Sequence, residues 1–410
     1  MKFCLIGEKL SHSYSKEIHE ERGLNYSLVE LTKANVEQFV KDKQFNGYNV
    51  TIPYKKEIMP YLDYIDPTAK EVGAVNTVKV DKGKLYGYNT DILGMEYLLS
   101  RKGVSLQDKY VMILGTGGTS CTAVALAKRN GAKEIFVVGR NAEINYENCY
   151  DKKQTQIIIN TTPVGMNPDL LACPIDIGKF SNLQAVIDVI YNPQRTVLTQ
   201  MAKELGLIYT NGLPMLVKQA FLAQDIWLDK KHTDKECEQL ISKLSLQKNN
   251  IVLVGMPGCG KSSVGEMLAK RLNRNFFDVD TEITKEQGKT PAEIITTQGE
   301  MAFRQIESQV LYRLCRLSGV VIACGGGSVI SSQNRKVIKA NAISVYLKRD
   351  LQKLSADNRP LSQTIGVQKL FEERRAYYEQ ADILVENEKS ITNTVEEIIK
   401  EYENSHIKRT

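Results

Sequence analysis

The sequence IVLVGMPGCGKS occupies residues 251–262, and a related stretch, YVMILGTGG, occupies residues 110–118. Each stretch begins with a short apolar run typical of a buried strand, ends in a glycine-rich turn and is followed by a helical pattern. Glycines at such a turn let backbone N–H groups surround a phosphate, and the start of the next helix favours its negative charge. The chain is therefore predicted to hold two nucleotides, one in each half.

The rest of the chain alternates short β-branched runs with helical patterns, which is typical of α/β domains with parallel sheets. A chain of 410 residues is also too long for one ordinary domain. Residues 229–250 are charged and helical in pattern, and we interpret them as the last helix of the first half followed by a short linker. The halves share no internal repeat, which indicates a fusion of two different domains.

The composition limits the class of partner. The net charge is +6, and Lys and Arg are interleaved with Asp and Glu, so the sequence lacks the basic stripe of a nucleic-acid-binding protein. The eight cysteines occur singly without a C-x-x-C pair, which is typical of a reducing cytosol and argues against zinc sites and disulfides. No apolar run reaches the ~20 residues of a membrane span. We expect a cytoplasmic protein with small-molecule substrates, no nucleic-acid or membrane partner, and an oligomeric state that the sequence leaves open.

The stretch 255–262 matches the pattern G-x-x-x-x-G-K-S of phosphate-binding loops in full. Lys261 is expected to reach the β- and γ-phosphates and Ser262 to hold Mg²⁺. The residues expected to bind the nucleotide are Gly258, Gly260, Lys261, Ser262 and Ser263.

Two carboxylates, Asp278 and Asp280, end the next apolar run. A side-chain period of two would place both on one face of a strand, at the edge where open α/β sheets bind ligands. One could serve the metal while the other orients a hydroxyl group. The alternative is a solvated pair at a strand end.

Further motifs follow the phosphate-binding loop in a fixed order. They are D-x-D at 278–280, G-E-x-x-F-R-x-x-E at 299–307, G-G-G at 325–327, R-P-L at 359–361 and R-x-x-x-Y at 374–378. As an ordered set they resemble shikimate kinase, over about residues 249–401. The resemblance implies ATP as the phosphoryl donor, Mg²⁺ as the metal and shikimate as the acceptor.

The resemblance gives two arginines to the substrate. Arg304 and Arg374 would hold the shikimate carboxylate, which suits the bidentate fork of an arginine. Arg375 leaves the second of these contacts open by one position. Outside the motif, either arginine could be a surface salt-bridge partner.

The resemblance also implies the roles of the remaining matched residues. Asp280 would accept hydrogen bonds from the substrate hydroxyl and act as the base, and Asp278 would serve Mg²⁺ through water. Gly326 would offer its backbone N–H to the substrate. Arg359 would lie on a mobile lid over the nucleotide, where it would act with Lys261 on the transferred phosphoryl group.

In the first half, Gly115, Gly117 and Gly118 follow a strand and open a helix, and Ser120 stands where the dinucleotide fingerprint has its third glycine. The next predicted strand ends just before Arg140. An acidic residue at that place would suit the ribose diol of NAD, whereas an arginine suits the 2′-phosphate of NADP. The pattern favours NADP(H), with an exposed loop arginine as the alternative.

Polar motifs lie on both sides of this unit. They are LSHSYS at 10–15, NVTIPYK at 49–55, GAVNT at 73–77, GYNTD at 87–91, NTTPVGM at 160–166, DVIYNP at 188–193 and NGLPMLVKQA at 211–220. Hydroxyls, amides, one lysine and one aspartate suit a hydroxylated carboxylate ligand, although each motif alone could be turn chemistry. In this order they resemble shikimate dehydrogenase, over about residues 1–244.

By this resemblance, Lys55 and Asp91 form the catalytic pair. Hydride passes to the C3 carbonyl of 3-dehydroshikimate while Lys55 delivers the proton and Asp91 positions Lys55. Taken alone, Lys55 would more often be a solvated lysine than a catalytic residue. The implied contacts to the substrate are Ser13, Ser15, Thr51, Asn76, Asp91, Tyr191 and Gln219, and those to the cofactor are Gly115, Gly117, Gly118, Arg140 and Gly212.

The segment between Arg140 and Asn160 is short, with 19 residues. The family usually has a further βα unit there, so we expect a missing or shortened helix in the outer wall of the cofactor site. This leaves the preference for NADP over NAD open.

The predicted fold class is α/β: a two-lobed substrate-plus-Rossmann dehydrogenase followed by a five-stranded parallel P-loop kinase domain. We place the first at 1–244, with 1–95 and 213–244 as the substrate lobe and 96–212 as the Rossmann lobe, and the second at 249–410. The kinase strands are predicted at 251–254, 275–278, 320–323, 342–347 and 382–385.

The expected function is that of a bifunctional shikimate-pathway enzyme. One alternative is a quinate-type NAD dehydrogenase fused to another small-molecule kinase. The other is that one half is a non-catalytic binding module, against which the retained charged residues of both sites argue.

Overall fold

The computed structural model describes residues 1–10, 13–354 and 366–407. The chain divides into two compact units. The first consists of Met1–Met166, Cys173–Tyr191 and Leu198–Ile241, and the second of Asn167–Ala172, Asn192–Val197 and Ser242–Thr410. The second unit thus takes in two short segments from the first half of the sequence.

The first unit opens with a six-stranded sheet. Its strands are β1 (Lys2–Gly7), β2 (Asn25–Glu30), β3 (Gly47–Val50), β4 (Tyr64–Ile65), β5 (Thr77–Asp81) and β6 (Lys84–Tyr88), in the order β2-β1-β3-β5-β6-β4. The strand β5 runs antiparallel to its neighbours β3 and β6. The helices of this part are α1 (Ser15–Glu21), α2 (Val36–Asp42), α3 (Pro67–Val72) and α4 (Asp91–Arg101).

A five-stranded parallel sheet of the Rossmann type follows. Its strands are β7 (Tyr110–Leu114), β8 (Glu134–Val138), β9 (Ile157–Asn160), β10 (Ala185–Asp188) and β11 (Ile208–Thr210), in the order β11-β10-β9-β7-β8. Its helices are α5 (Gly118–Arg129) and α6 (Val197–Glu204). Every residue of β9 and β10 is buried, as expected of a parallel sheet covered on both faces.

The connection between β8 and β9 lacks an α-helix. Residues 139–156, all of them described, contain one short 3₁₀ turn, Cys149–Asp151, and no longer helix. The prediction of a missing or shortened helix is therefore confirmed.

Two helices close the first half of the chain. The helix α7 (Leu213–Leu228) packs against α4, and its Trp227 donates a hydrogen bond from Nε1 to the carbonyl oxygen of Val78 in β5, at 2.9 Å. The helix α8 (Asp234–Lys248) occupies the charged stretch that the sequence predicts to be helical.

The second unit contains another five-stranded parallel sheet. Its strands are β12 (Asn250–Val254), β13 (Phe276–Asp278), β14 (Val321–Ala323), β15 (Ala342–Lys348) and β16 (Ile383–Glu386), in the order β13-β14-β12-β15-β16. Its helices are α9 (Lys261–Leu272), α10 (Val279–Gln287), α11 (Pro291–Gln298), α12 (Glu300–Cys315), α13 (Ser332–Asn341), α14 (Val367–Tyr378) and α15 (Ile391–Ile407). The α/β class and the five predicted strands are confirmed.

The structure corrects the predicted placement of Asp280. The strand β13 ends at Asp278, and Asp280 lies in the first turn of α10, so the two carboxylates do not share one strand face. Asp278 instead caps the helix, because its Oδ1 accepts hydrogen bonds from the backbone N–H groups of Asp280 and Thr281, at 3.0 and 3.3 Å. A side-chain oxygen at this position satisfies N–H groups that the helix itself leaves free, so the helix begins directly after Asp278 and includes Asp280.

No helix in the described parts of the chain combines the length and the apolar character needed to cross a membrane.

Candidate active sites

A buried ion pair lies at the end of the first sheet. The Nζ atom of Lys55, in the turn that follows β3, is 2.6 Å from Oδ2 of Asp91, the first residue of α4. The two side chains are only 13% and 9% exposed. The other carboxylate oxygen accepts a hydrogen bond from Nδ2 of Asn76 at 2.8 Å. Both carboxylate oxygens of Asp91 therefore have hydrogen-bond partners. Asp91 in turn holds Lys55 in position, and Lys55 keeps some exposure to solvent.

Asn76 supports this pair more directly than the sequence suggests. Its Nδ2 also contacts Oγ1 of Thr90 at 3.0 Å, and its Oδ1 accepts the backbone N–H of Thr90 at 2.8 Å. With its amide used on both ends and only 3% exposed, Asn76 holds the start of α4 in place. The predicted contact of Asn76 with a substrate hydroxyl stays a prediction.

The other predicted substrate residues lie on separate elements of the first unit. The backbone N–H of Ser15 donates to Oγ of Ser13 at 3.2 Å, and the ring of Tyr191 lies 5.0 Å from that of Tyr14, the residue between the two serines. Thr51 lies on the same turn as Lys55, where its backbone N–H donates to Ile6 at 2.9 Å. Gln219 is buried on α7 and faces α4, because a Cβ added to Gly94 of α4 would lie 3.2 Å from the Cβ of Gln219. The structure thus groups the serines with Tyr191, Thr51 with Lys55, and Gln219 with the helix that carries Asp91.

The glycine turn of the Rossmann sheet lies beside the lysine. A Cβ on Gly118 would be 3.6 Å from Cδ of Lys55. Gly115 has a φ of +110° and leaves room for Oγ1 of Thr161, which a Cβ would approach to 2.8 Å. Ser120 donates from Oγ to the carbonyl oxygen of Gly115 at 2.6 Å, so the residue in the place of the third glycine closes the turn. A dinucleotide on this turn would be adjacent to the Lys55–Asp91 pair.

Arg140 lies near the same turn and is exposed, two residues after the end of β8. The strand β8 pairs with β7, and the backbone N–H of Gly115 donates to Val138 at 2.8 Å. A Cβ on Gly139 would meet the side chain of Thr116 at 2.6 Å. The arginine therefore lies exposed beside the glycine turn, where a phosphate on the ribose could reach it.

Gly212 has a packing role that the sequence does not reveal. A Cβ at this position would lie 1.9 Å from the carbonyl oxygen of Val189. Only a glycine allows this close approach between the loop after β11 and the loop after β10. Its predicted contact with the cofactor stays a prediction.

The second unit contains a cleft of about 980 Å³ around the phosphate-binding loop. All the predicted kinase residues within the described ranges line it. They are Gly258, Gly260, Lys261, Ser262, Ser263, Asp278, Asp280, Arg304, Gly326 and Arg374. Arg359 lies outside the described residues.

The loop itself is closed around its lysine. Nζ of Lys261 donates to the carbonyl oxygens of Gly255 and Met256, each at 3.0 Å. Oγ of Ser262 donates to Oδ2 of Asp278 at 2.7 Å. A hydroxyl and a carboxylate side by side are oxygen ligands of the kind that Mg²⁺ accepts, usually with waters and phosphate completing its shell. Among the residues that the structure describes, no group of three or more His, Cys, Asp or Glu side chains is arranged to hold a metal ion.

Asp280 opens onto the cleft but is surrounded by its walls. This partial burial raises the pKa of the Asp280 carboxyl to about 6, and the nearby carboxylates of Asp278 and Glu307 act in the same direction. Lys261 and Arg304 oppose the shift. A carboxylate with a raised pKa is a better proton acceptor than an ordinary aspartate.

Arg304 is held in place by a carboxylate to which the sequence assigned no role. Its Nη1 donates to Oε2 of Glu307 at 2.8 Å, and the other oxygen of Glu307 accepts from Oγ of Ser328 at 2.6 Å. Glu307 is fully buried. The only signal for it in the sequence is its place at the end of the motif at 299–307.

The three glycines at 325–327 allow this arrangement. A Cβ on Gly325 would lie 2.5 Å from Oε1 of Glu307, and one on Gly327 would lie 2.3 Å from Nη2 of Arg304. A Cβ on Gly326 would press on Pro257 of the phosphate-binding loop, at 2.6 Å. The backbone at 325–327 thus approaches Arg304, Glu307 and the phosphate-binding loop so closely that a side chain larger than that of glycine would collide with them.

The structure distinguishes Arg374 from Arg375. Arg374 is 3% exposed and lines the cleft, and its buried Nε has no hydrogen-bond partner within the described part of the chain. Arg375 is exposed and pairs with Glu379 at 2.6 Å. The Tyr378 hydroxyl, one helical turn further on, donates to the carbonyl oxygen of Gly326. Arg374 is therefore the arginine that faces the cleft.

A further arginine of the cleft, Arg349, was not predicted from the sequence. It follows β15 directly, but it belongs to none of the motifs. Its position at the carboxyl end of a strand, next to the strand that carries the phosphate-binding loop, is the signal that could have revealed it.

Comparison with known families identifies both halves. A model described as the shikimate dehydrogenase substrate binding domain matches residues 5–78, and the shikimate kinase model matches residues 257–403. Both predicted resemblances are thereby confirmed.

Individual relatives match the first part of the chain. The shikimate dehydrogenase (NADP(+)) of Clostridium beijerinckii is 37% identical over 264 residues, which cover 59% of this chain and 94% of the relative. The crystal structure of shikimate dehydrogenase 1 from Peptoclostridium difficile has a TM-score of 0.57 at 36% identity and covers 60% of this chain and 98% of its own. A shikimate 5-dehydrogenase from Thermus thermophilus, in complex with NADP(H) and shikimate, has a TM-score of 0.53 at 28% identity, with coverages of 59% and 99%.

Proposed function

Because the chain belongs to the shikimate dehydrogenase family and carries a shikimate kinase domain after it, we propose that it catalyses two successive reactions on one acid. The first reduces 3-dehydroshikimate to shikimate with NADPH. The second transfers the γ-phosphoryl group of ATP to the 3-hydroxyl of shikimate and yields shikimate 3-phosphate. Both reactions belong to the route that leads to chorismate and the aromatic amino acids.

The observation that carries the first reaction is the buried pair of Lys55 and Asp91 beside the glycine turn. NADPH, when bound, supplies the hydride. As negative charge develops on the carbonyl oxygen of the substrate, the ammonium of Lys55 stabilises it and donates a proton. Asp91 keeps Lys55 in place, and Ser13 and Ser15 receive the carboxylate of the substrate. Thr51, Asn76, Tyr191 and Gln219 complete the contacts to the ring.

The second reaction rests on the charges of the kinase cleft. Arg304 and Arg374 bind the shikimate carboxylate, and Gly326 offers its N–H to the same molecule. Asp280 accepts the proton of the attacking hydroxyl, which its raised pKa favours. The phosphate-binding loop and Lys261 hold ATP, and Arg359 acts on the transferred group. Mg²⁺, when bound near Ser262 and Asp278, neutralises charge on the phosphates.

NADP(H) is the cofactor that the glycine turn of the first unit and Arg140 suit. Arg140 is exposed beside the glycine turn, at the position where an NAD-binding protein would have an acidic residue. The relatives named above include an NADP(+) enzyme and an NADP(H) complex. The absence of the helix between β8 and β9 does not remove Arg140 from this position.

The experiment uses the full chain with one reaction supplied at a time. With 3-dehydroshikimate and NADPH alone, we expect loss of NADPH absorbance, and with shikimate, ATP and Mg²⁺ alone, we expect ADP. With all substrates present, mass spectrometry should detect shikimate 3-phosphate. If neither separate reaction occurs, the proposal is wrong.

Two substitutions assign each reaction to its unit. Lys55→Ala should reduce the dehydrogenase rate at least about 100-fold and leave the kinase rate unchanged, and Lys261→Ala should do the reverse. Lys56→Ala and Lys270→Ala are matched controls, since both lysines are exposed neighbours on the same segments and should change neither rate. Loss of both activities in either variant would contradict the assignment.

A further inference from the structure

Arg349 leaves the sheet of the second unit next to the phosphate-binding loop. The strand β15 ends one residue before it and pairs with β12, so that Tyr346 lies opposite Val254. A Cβ on Gly255, at the start of the loop, would lie 2.6 Å from the carbonyl oxygen of Leu347. Parallel strands bring their carboxyl ends to one edge, so this arginine and the loop share that edge.

The Arg349 side chain lines the cleft, and one of its buried donors has no hydrogen-bond partner among the described residues. Its Nε atom is buried and makes no hydrogen bond, and the side chain forms no ion pair with any residue in the described ranges. The nearby carboxylate of Glu388 is occupied by Nζ of Lys353 and by the backbone N–H of Asp350, at 2.6 Å for the latter. A buried donor without a partner is costly, so such groups are few in native proteins, and one that lines a cleft is suited to bind an anionic ligand.

Arg374 shows the same feature on another wall of the cleft. Its Nε is also buried and unpaired, and the proposed function assigns it to the substrate carboxylate. Two arginines that both present unpaired donors to one cleft are suited to two anionic groups.

The order of the strands distinguishes the two anions. The proposed substrate residues Asp280 and Gly326 follow β13 and β14, on one side of the phosphate-binding strand. Arg349 follows β15 directly, on the other side. Arg374 also lies after β15 in the chain, but its helix α14 reaches the acceptor side, where the Tyr378 hydroxyl donates to the carbonyl oxygen of Gly326. We propose that Arg349 binds the phosphates of the nucleotide and not the carboxylate of the acceptor. This inference rests on the proposed kinase function.

The test measures nucleotide affinity in the full chain, in the presence of Mg²⁺ and without shikimate. We expect Arg349→Gln to weaken ATP binding about tenfold by titration calorimetry. The affinity of Arg349→Gln for adenosine, measured by displacement of a fluorescent nucleotide, should equal that of the wild type, because adenosine lacks phosphates. Arg349→Lys, which keeps the charge but not the fork, should fall between the two. The matched control is Arg375→Gln, at an exposed arginine of the same unit.

Three results would overturn the inference. Unchanged ATP affinity in Arg349→Gln would show that the side chain does not contact the nucleotide. Equal losses for ATP and adenosine would indicate stacking on the base instead of a phosphate contact. A rise in KM for shikimate without a change for ATP would place Arg349 at the acceptor. If Arg349→Gln does not fold, the Arg349→Lys variant decides alone. If this variant binds both ATP and adenosine as tightly as the wild type does, the proposed contact between the arginine fork and the phosphates is wrong.

The failure of the inference can be separated from that of the proposed function. Wild-type protein that binds ATP but phosphorylates no shikimate would refute the function and leave the phosphate contact standing. Wild-type kinase activity with unchanged ATP affinity in Arg349→Gln would refute the contact alone.

Discussion

His19 should make the first unit acid-sensitive, because its ring is buried in the neutral form. It is fully buried and stacks on Tyr26, with the ring centroids 4.1 Å apart. Its Nδ1 lies 2.7 Å from the amide nitrogen of Gln224, and its Nε2 lies 3.2 Å from Oδ1 of Asn49. Arg22 donates to Oε1 of Gln224 at 2.7 Å, which fixes the orientation of that amide. The Nδ1 atom therefore accepts a hydrogen bond and has no room for a proton.

The sign of the effect follows from this environment. Burial lowers the pKa of His19 from 6.5 to about 3, against a smaller opposing effect of Asn49. Between these pH values the unfolded chain binds a proton that the folded unit does not. The contribution of His19 to the free energy of unfolding is therefore fully present well above pH 6.5 and is lost as the pH decreases from 6.5 towards 3. At pH 5.5 the loss is about 1–2 kcal/mol, a figure that depends on the unfolded pKa and hardly on how low the folded one lies.

The single tryptophan of the chain reports on this region. Trp227 lies in the first unit, 5.4 Å from the ring of His19 and stacked on Phe3 at 4.8 Å. Denaturant titrations followed by its fluorescence at pH 7.5, 6.5 and 5.5 therefore measure the unit that contains His19. The comparison variant is His19→Gln, which cannot titrate but keeps an amide donor and acceptor.

The variant should be less stable than the wild type at pH 7.5, because it loses the stacked ring. Between pH 7.5 and 5.5, however, its stability should fall by about 1–2 kcal/mol less than that of the wild type. Equal decreases for the two proteins over this range would refute the reasoning, since other titrating groups are common to both.

Three further substitutions test separate parts of the two sites. Glu307→Gln removes the carboxylate that holds Arg304, so KM for shikimate should rise about tenfold while KM for ATP stays unchanged; an equal rise for both would speak against a positioning role. Arg140→Gln should raise KM for NADPH about tenfold in initial-rate assays and leave KM for NADH unaltered, whereas a parallel change in both would exclude a contact with the 2′-phosphate. Gly212→Ala should destabilise the first unit by about 1–3 kcal/mol or more, since its Cβ would meet a carbonyl oxygen at 1.9 Å, and tryptophan fluorescence would show this. Gly117→Ala, with no heavy atom within 4 Å of the new Cβ, should unfold like the wild type.

The sequence predicts those parts of the fold that depend on neighbouring residues. The two glycine turns, the five kinase strands and the helix at 234–248 all follow from local patterns, because a buried parallel strand reads as a continuous apolar run and a turn reads as glycine. The prediction that Asp278 and Asp280 share one strand face is wrong for the same local reason. The apolar pattern continues through Val279, and only the capping bonds of the Asp278 side chain show that the strand has already ended.

Contacts between distant residues lie beyond such patterns. Gly212 is required by a carbonyl group 23 residues earlier, and the short segments Asn167–Ala172 and Asn192–Val197 belong to the second unit although they lie in the first half of the sequence. Neither fact can be recognised from the local sequence pattern. Both depend on which parts of the backbone meet in three dimensions.

The same distinction separates the groups proposed to touch substrate from the groups that hold them. Lys55, Asp91 and Arg304 stand in recognisable motifs, whereas the structure alone reveals that Asn76 and Glu307 are their supports. Each supporting side chain is buried and has hydrogen bonds at both ends of its polar group, which fixes its orientation. Arg349 and Arg374 show the opposite condition, with a buried donor left unpaired. In this chain the paired groups of Asn76 and Glu307 therefore fix the positions of Asp91 and Arg304, and the unpaired donors of Arg349 and Arg374 in the cleft are suited to ligand contacts.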